Sequence, residues 1–350
     1  MTKAVYLYPM QTPQPVTIKD IARKLGISAS TVSRALRGSA EIKEETRKLV
    51  QELAKELQYT PNPIALSLKE KKSKVIGVIV PEIANYFCSA VIAGIEDIAY
   101  NMGYHVVIFQ SHEKYEREVT NINLLASRRI DGLIISVSNE TKKGTHLAEL
   151  IDKGVPVVMF DRICDEIDTP RVVTDDAGGA YDATCHLAEQ GYRRIAHVTM
   201  APYLSVTKNR MKGYVNALKK HKIPIEKKWI VHCDFDFGNI KKALHKLLKT
   251  TPKPNAILVS SERIAIDCFE VLKEMKLRIP ADIAMVGFFD NPVCRFIDPS
   301  LTAVHQPTFD IGQSAARLLI NMIEHNALQL QYKTIELKTT MEVRASSMRK

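Results

Sequence analysis

The residues best suited to chemistry lie near the N-terminus, where small hydroxyl side chains alternate with arginines. Ser30, Ser33 and Arg34 share the polar face of a predicted short helix, which buries Val32 and Ala35 on its other side. Hydroxyl and guanidinium groups suit the donors and acceptors that base pairs present in the DNA major groove. The pattern therefore favours a DNA-reading helix, and a helical hairpin with a merely solvated polar face is the alternative.

Three short helices are predicted to hold this polar face. Apolar residues recur at i, i+3, i+4 and i+7 from Ile18 to Leu25, which indicates one buried helical face. Gly26 permits the left-handed backbone that ends this helix, and Ser28 is placed to cap the next one. A third amphipathic helix is predicted from Ile42 onward, with these apolar residues facing inward: Leu49, Val50, Leu53, Ala54 and Leu57.

The charge of the chain is concentrated in this N-terminal part. Residues 1–74 contain fourteen Lys and Arg against seven Asp and Glu, which gives a net +7 of the +10 carried by all 350 residues. A basic module of this kind neutralises phosphates, the interaction that dominates affinity for DNA. A membrane-surface patch is disfavoured because no exposed Trp or Phe stripe accompanies the charge and no segment approaches the length of a membrane span.

Two sequence strings resemble the bacterial LacI/GalR (lactose-repressor) family of transcription regulators. They are TIKDIARKLGISASTVSRALRG, at residues 17–38, and YTPNPIALSL, at residues 59–68. The resemblance extends from Thr17 to Arg344. It implies a helix-turn-helix headpiece at 16–60, a hinge at 61–73 and an effector-binding and dimerisation core at 74–350. Residues 1–15 lack a signal-peptide pattern and are interpreted as a disordered leader.

The resemblance assigns DNA-contacting roles in the headpiece and the hinge. The residues expected to face base edges are Ala29, Ser30 and Arg34. Those expected to position phosphates are Thr17, Ser28, Thr31 and Ser33. The hinge residues expected in the minor groove are Asn62, Ala65, Leu68 and Lys69. Among these, Leu68 is the expected wedge between base steps, and its packing on the core is the alternative.

Downstream of the hinge, strands and helices alternate in a pattern that predicts an α/β fold with parallel sheets. Residues 75–80 (VIGVIV) form a continuous apolar run, as expected for a strand covered on both faces. Two successive series of βα units predict two doubly wound lobes. Together they form a clam-shell like that of periplasmic binding proteins, with a ligand cleft at the carboxyl ends of the strands.

The resemblance also implies that the chain crosses between the lobes three times. We expect crossings near 160–165, 290–292 and 302–309. The corresponding N-lobe comprises about 74–161 and 292–322, and the C-lobe about 162–290 and 323–344.

The sequence offers little support for an enzyme or for a bound cofactor or metal. No GxGxxG follows a strand and no GxxxxGK[ST] occurs, so phosphate-binding loops of those types are absent. His186 and His197 have no catalytic partner at a recognisable spacing. Asp175 and Asp176 are interpreted as helix caps rather than a carboxylate pair. Six dispersed cysteines favour buried thiols in a reducing cytosol.

Polar and aromatic residues at the predicted strand ends suggest a binding cleft, and the resemblance places an effector there. The alternative for Tyr86 and Phe87 is ordinary core packing, and the alternative for Arg210 is a solvated side chain at the start of a helix. The expected effector-binding residues are Tyr86, Phe87, Ser136, Asp161, Arg162, Arg210, Phe235, Glu262, Phe289 and Asp290.

Two of these residues depart from the family pattern. Phe289 stands where the family usually carries an Asp that binds ligand hydroxyls, and Asp290 comes one place later. Glu262 replaces another family Asp. Both changes weaken a direct transfer of a sugar pocket.

The sequence therefore predicts a cytoplasmic, homodimeric regulator with double-stranded operator DNA as its partner and repression as the expected outcome. A small, sugar-like effector would control it. A dimer rather than a tetramer is expected because no leucine heptads follow the last strand-like segment, 334–343. The rival interpretations are a solute-binding protein of the same fold and a non-specific architectural DNA binder.

Overall fold

A computed structural model describes residues 16–59, 72–325 and 334–349. The chain divides into two compact units, the first ending at Ser73 and the second beginning at Lys74. The expected leader and the hinge residues Asn62, Ala65, Leu68 and Lys69 lie outside the described residues. None of the helices in the described ranges is long and apolar enough to cross a membrane.

The first unit is built from three helices. They are α1 (Ile18–Leu25), α2 (Ala29–Leu36) and α3 (Glu44–Glu56). Their small core centres on Ile21, Val32 and Val50, which are fully buried. The prediction that Leu49 faces inward is wrong, because 56% of its surface is exposed. The apolar run from Leu49 to Val50 spans two faces of α3, and only one of them meets the other helices.

Local signals in the sequence explain where α1 and α2 begin and end. Gly26 adopts φ = 65°, the left-handed conformation predicted for the end of α1. The Ser28 hydroxyl accepts a hydrogen bond from the Thr31 amide at 3.1 Å, which confirms the predicted cap of α2. At the start of α1, the Asp20 carboxylate accepts hydrogen bonds from the Thr17 amide at 2.9 Å and its hydroxyl at 2.6 Å.

The second unit contains two six-stranded sheets, which confirms the two-lobed α/β prediction. In the first sheet all described pairs are parallel and the strand order is β11-β5-β4-β3-β1-β2. The strands are β1 (Val75–Val80), β2 (His105–Gln110), β3 (Gly132–Ile135), β4 (Val157–Phe160), β5 (Arg171–Thr174) and β11 (Thr334–Leu337).

Helices cover both faces of this first lobe. The helices are α4 (Tyr86–Asn101), α5 (Tyr115–Ser127), α6 (Thr145–Asp152) and α11 (Thr308–His325). α4 packs closely against α11, and a Cβ on Gly94 would come within 2.1 Å of the Phe309 carbonyl oxygen. The α5 and α6 side chains pack with the opposite face of the sheet. β1 is thereby covered on both faces, as predicted.

The second lobe repeats this architecture, with strand order β12-β10-β9-β8-β6-β7 and only β12 antiparallel. Its strands are β6 (Ile195–Thr199), β7 (Ile230–His232), β8 (Ala256–Val259), β9 (Ala284–Gly287), β10 (Thr302–His305) and β12 (Thr340–Glu342). Its helices are α7 (Asp176–Glu189), α8 (Ser205–Lys220), α9 (Phe237–Leu248) and α10 (Glu262–Glu274). All six cysteines are buried free thiols, as expected.

Two of the three predicted crossings between the lobes are wrong. β5 pairs with β4, so the chain leaves the first lobe after Thr174 rather than at 160–165. β10 pairs with β9, so residues 290–292 and the turn Pro292–Arg295 belong to the second lobe. The expected crossing within 302–309 is confirmed, because α11 packs on the first lobe directly after β10.

The last predicted strand-like segment, 334–343, is two strands in different sheets. β11 pairs with β5 in the first lobe, and β12 pairs with β10 in the second. The third crossing therefore lies at 338–339. The expected lobe boundaries near 161, 290–292 and 322 are corrected to 174, 306–307 and 338–339. Hydrophobic patterning identifies a strand but not the sheet it joins, which explains these errors.

Candidate functional site

The first candidate site is the polar face of α2. Its hydroxyl groups are linked to one another before any ligand binds. The Ser28 Oγ lies 2.7 Å from Ser30 Oγ and 2.8 Å from Thr31 Oγ1. Ser28 and Ser30 are exposed and Thr31 is half-buried. The start of the helix therefore presents a connected row of hydroxyls at its N-terminus, where backbone N–H groups and the helix dipole favour an anionic partner.

Arg34 of α2 and Arg37, which directly follows this helix, are held by contacts within the first unit. Arg34 forms an ion pair with Glu41 at 3.0 Å, and its side chain is 46% exposed. Arg37 donates to the Ser33 carbonyl at 3.1 Å and to the Ser33 hydroxyl at 2.8 Å. Arg37 is thereby held against the last turn of α2, whereas Arg34 reaches Glu41 beyond the end of the helix in an exposed ion pair. Exposed pairs of this kind contribute little to stability.

Two further predicted residues flank this face. Thr17 is exposed immediately before α1, with its hydroxyl bonded to Asp20. Ala29 is half-buried because it packs partly against the core of the three helices. The described predicted residues of the headpiece therefore lie on α2, at its N-terminal cap or beside α1.

The second candidate site is a partly open cavity of about 60 Å³ between the two lobes of the second unit. Six of the ten predicted effector-binding residues line it. They are Phe87, Asp161, Arg162, Arg210, Glu262 and Phe289. Five of them follow the carboxyl end of a strand or lie in the first turn of the helix after it, as the clam-shell interpretation requires. Arg210 lies in the second turn of α8, because that helix begins at Ser205.

Arg210 is the most tightly held of these side chains. Only 4% of it is exposed, and its Nε donates to Asp176 at 2.8 Å. It also donates to the Ser260 carbonyl, and its Cζ lies 3.9 Å from the Phe288 ring centroid. Burial raises the pKa of Asp176 to about 6, although the neighbouring Arg210 opposes this shift. Arg210 therefore joins the start of α7 to the end of β8.

Asp161 and Arg162 form a second buried charged group at the end of β4. Arg162 Nη1 lies 2.7 Å from Glu113 and its Nε lies 4.0 Å from Asp161. Burial raises the pKa of Asp161, and the guanidinium groups of Arg162 and Arg210 oppose the shift. Asp161 adopts φ = 55° and Glu113 adopts φ = 61°. Non-glycine residues in this region are strained, and such strain is concentrated at functional sites.

Glu262 begins α10 and connects the lobes across the cavity. Burial raises the pKa of its carboxyl, and the Asn291 side chain and the backbone of Tyr86 counter this shift. The Asn291 amide donates directly to Glu262. Tyr86 belongs to the first lobe and Asn291 to the second. Other contacts between the lobes include Ile163 N to Ser205 Oγ at 3.1 Å.

The other four predicted effector-binding residues lie outside the described lining of the cavity. Asp290 turns to Arg344, at 2.8 Å, and to His305, at 3.5 Å, so it does not replace the family Asp. Phe235 packs between two arginine side chains. Tyr86 is 42% exposed and Ser136 is buried. These four residues are not among those that line the cavity, because strand-end position alone does not fix side-chain direction.

Several lining residues were missed by the sequence analysis. Glu82 and Asn85 follow β1, Ser260 and Ser261 follow β8, and Gln306 follows β10. The same strand-end rule would have found them. Glu113 and Met200 also follow strand ends, whereas Val206 lies in the first turn of α8.

Comparison with known proteins decides the family. Residues 73–340 match the family model described as periplasmic binding proteins and sugar binding domain of the LacI family, and residues 17–62 match that of bacterial regulatory proteins, lacI family. The chain belongs to the LacI family. It is a DNA-binding transcription regulator with a core of the sugar-binding type.

Relatives of this LacI-family regulator match over nearly their whole length. Catabolite control protein A of Priestia megaterium is 33% identical, with 95% of this chain and 99% of the relative covered. The ribose operon repressor of Haemophilus influenzae is 32% identical, with 94% and 98% covered. A crystal structure of the lac repressor dimer bound to operator and the anti-inducer ONPF has a TM-score of 0.82 and 25% identity, covering 96% and 100%. These relatives are transcription regulators and not enzymes.

Proposed function

We propose that this LacI-family regulator represses transcription by binding a specific operator, and that a small hydroxylated effector in the cleft sets its affinity. The observation that supports operator reading best is the polar face of α2. Ser30 and Arg34 are exposed on a helix that Ser28 caps, and the helix is held from behind by Val32. A helix supported in this way fits the major groove.

Different residues on this face have different tasks in the proposed complex. Ala29, Ser30 and Arg34 contact base edges and so determine sequence preference. An arginine that binds guanine with two hydrogen bonds contributes about 1–3 kcal/mol of discrimination. Thr17, Ser28, Thr31 and Ser33 contact phosphates, which fixes the register of the protein without reading sequence.

Selection of duplexes from a randomised pool tests this proposal. We expect the full-length protein to enrich a two-fold symmetric site, with affinity that falls as salt rises because counterions are released from the phosphates. Gel-shift titrations at moderate salt then compare the enriched site with a scrambled duplex. Equal affinity for both would indicate a non-specific architectural binder instead.

The hinge contributes a second, separable contact to the proposed complex. Leu68 matches the family leucine that is wedged between base steps in the minor groove, and Ala65 matches the small residue that lets two hinge segments approach. Unstacking costs a few kcal/mol and is offset by contacts on the bent duplex. Leu68→Ala should lower operator affinity and bending and leave the melting of the core unchanged. Loss of core stability with intact bending would show that Leu68 packs on the core.

The proposed effector is a sugar or sugar derivative. Arg210 has further N–H donors beyond those bonded to Asp176 and Ser260, and Phe87 and Phe289 supply apolar faces. The cavity has a volume of only about 60 Å³, so we expect the lobes or side chains to move when a sugar enters. A thermal-shift screen of sugars on the full-length protein, followed by operator titrations with each hit, tests this assignment. A hit that leaves operator affinity unchanged would contradict effector control.

The proposed assembly is a homodimer that uses both lobes. Large apolar side chains remain exposed on each lobe: Tyr100, Met102, Val107 and Ile108 on the first, and Ile266, Val293 and Phe296 on the second. Apolar patches of this kind mark protein interfaces, and two headpieces are needed to read two half-sites. Phe296 is 83% exposed. Phe296→Glu should shift sedimentation toward the monomer, whereas an unchanged dimer would exclude this surface.

Ligand and operator are then linked thermodynamically. If cleft closure moves the first lobes of the dimer relative to each other, the attached hinges move with them. A coupling free energy of about 1–3 kcal/mol changes operator affinity roughly 5- to 150-fold, and the operator must change effector affinity by the same factor.

A further inference from the structure

The cavity between the lobes is lined by more acidic than basic groups. Four acidic residues line it: Glu82, Glu113, Asp161 and Glu262. The basic side chains among its described lining residues are Arg162 and Arg210. The two signs of charge are therefore unequal at the place where the proposed effector binds.

Both guanidinium groups are already matched by a carboxylate at short range. Arg162 lies 2.7 Å from Glu113, and Arg210 lies 2.8 Å from Asp176, which stands behind the cavity wall. These pairs are buried, with side-chain exposures of 16% or less. Because each arginine has its own counter-ion, neither contributes a net positive charge to the cavity. This holds whatever the protonation state of Asp161.

The carboxylates of Glu82 and Glu262 have hydrogen-bond partners that need not carry charge. Glu82 Oε2 lies 3.2 Å from His112 Nδ1, and a neutral imidazole can donate this hydrogen bond. Glu262 accepts from the uncharged amide of Asn291. The two glutamates lie on opposite lobes, Glu82 after β1 and Glu262 at the start of α10. Their charges therefore add across the cavity.

The remaining lining suits an uncharged or positively charged ligand. Phe87, Phe288 and Phe289 line the same space. Aromatic faces attract cations and pack against apolar ring surfaces, and carboxylates accept hydrogen bonds from ligand hydroxyl or ammonium groups. An anion would instead be moved from water toward two like charges in a site of low effective dielectric constant.

We propose that Glu82 and Glu262 make the cleft selective by charge, so that it admits neutral or cationic hydroxylated ligands and rejects sugar acids and sugar phosphates. This proposal rests on the effector cleft proposed above and narrows the class of its ligand. The selectivity then has two sources. The cleft makes favourable contacts to the accepted ligand, and the carboxylates of Glu82 and Glu262 repel an anion.

Charged thiol reagents test the selectivity even while the effector is unidentified. Ser261 lines the cavity beside Glu262 and is half-buried, so Ser261→Cys places a thiol there with little change in volume. The full-length variant is treated with trimethylammonioethyl or sulfonatoethyl methanethiosulfonate at low salt. The rate of each reagent with the variant is divided by the rate of the same reagent with 2-mercaptoethanol. Peptide mass spectrometry separates modification at position 261 from modification of Cys88. Burial raises the pKa of Cys88 to about 12, so its own reaction is slow.

We expect the normalised rate of the cationic reagent to be at least tenfold that of the anionic reagent. High salt should reduce this ratio. Adding Glu82→Gln, on the opposite lobe, should lower the ratio several-fold. Glu96→Gln, which removes an exposed carboxylate of α4 outside the cavity, is the matched control and should leave it unchanged.

A normalised ratio of one or below would overturn the proposal, as would equal effects of Glu82→Gln and Glu96→Gln. Gel shifts with the selected operator, run on the same protein, separate this outcome from failure of the proposed function. Operator binding together with a ratio of one leaves a DNA-binding regulator without charge selectivity. A high ratio without operator binding would support charge selectivity and contradict the proposed regulatory function.

Discussion

Arg34 in the headpiece and Arg210 in the core are each paired with one carboxylate, but in opposite environments. The Arg34–Glu41 pair is 3.0 Å long with side chains 46% and 71% exposed. The Arg210–Asp176 pair is 2.8 Å long with side chains 4% and 3% exposed. Exposed ion pairs contribute about 0–1 kcal/mol, whereas removal of one partner from a buried pair costs about 3–5 kcal/mol.

This difference in burial suits the two proposed tasks. Arg34 can leave Glu41 for a base at little cost, so one headpiece can sample many DNA sequences. Arg210 cannot leave Asp176 without strong destabilisation, so an effector must use its remaining donors and move the lobes around it. In this proposal the headpiece contacts DNA through an arginine that can change partners. The core responds to the effector around an ion pair that stays in place.

The largest expected effect follows from removing the fixed contact. Arg210→Ala leaves Asp176 buried without its partner, so we expect the free energy of unfolding of the core to fall by about 3–5 kcal/mol. We also expect effector response to be lost while operator binding persists below the melting temperature. Denaturation and operator titration with and without effector measure both.

A double variant sharpens this result. Arg210→Met with Asp176→Asn removes both charges and should destabilise the core less than Arg210→Ala alone. A normal shift of operator affinity with ligand in Arg210→Ala would show that the cleft assignment is wrong.

The next effect follows from disrupting the small core of the headpiece. Ile21 is fully buried in the small headpiece core, so Ile21→Ala should remove about 2–5 kcal/mol and abolish operator binding. The melting of the second unit should not change, because the two units have separate cores. Leu49→Ala is the matched control, since the Leu49 side chain is exposed. Calorimetry that shows a shifted core transition in Ile21→Ala would contradict the separation.

A smaller effect is expected from removing a serine helix cap, and the stability lost can be compared between one cap in each unit. Ser28 accepts from the Thr31 amide at 3.1 Å, and Ser261 accepts from the Ile264 amide at 3.4 Å. Ser28→Ala should cost the headpiece about 1 kcal/mol, a typical value for a lost cap. Ser261→Ala should cost the core less, because its hydrogen bond is longer. Denaturant titrations of both variants test the order, and the reverse order would reject this explanation.

The smallest predicted effect is a gain. Glu41→Gln removes the competitor for Arg34, so affinity for the selected operator should rise by up to about fivefold, within the roughly 0–1 kcal/mol of an exposed pair. Glu52→Gln, which removes an exposed carboxylate on α3, controls for the change in net charge. If both variants gain equally, long-range electrostatics rather than release of Arg34 explains the increase.

The sequence predicts local structure better than it predicts which sheet a strand joins. Gly26, Ser28 and the apolar run of β1 act through contacts a few residues away, and the structure confirms each. The sheet joined by β5, and the separation of β11 from β12, depend on pairing between distant segments. No local pattern encodes that pairing.

The cleft shows the same limit. Strand-end position correctly predicted Asp161 and Glu262 in the lining, because the carboxyl ends of parallel strands meet at one edge. It could not show that Asp290 turns away toward Arg344, or that Asp176 neutralises Arg210. Those outcomes depend on the C-terminal segment and on α7, which come from other parts of the chain.

The division of tasks on α2 is tested most directly by gel-shift titration of Arg34→Ala and Thr31→Ala on the selected operator and on a scrambled duplex. We predict that Arg34→Ala loses about 1–3 kcal/mol of discrimination at one base pair per half-site, whereas Thr31→Ala weakens binding to both duplexes alike. Equal losses on the two duplexes for Arg34→Ala would contradict base reading by this helix.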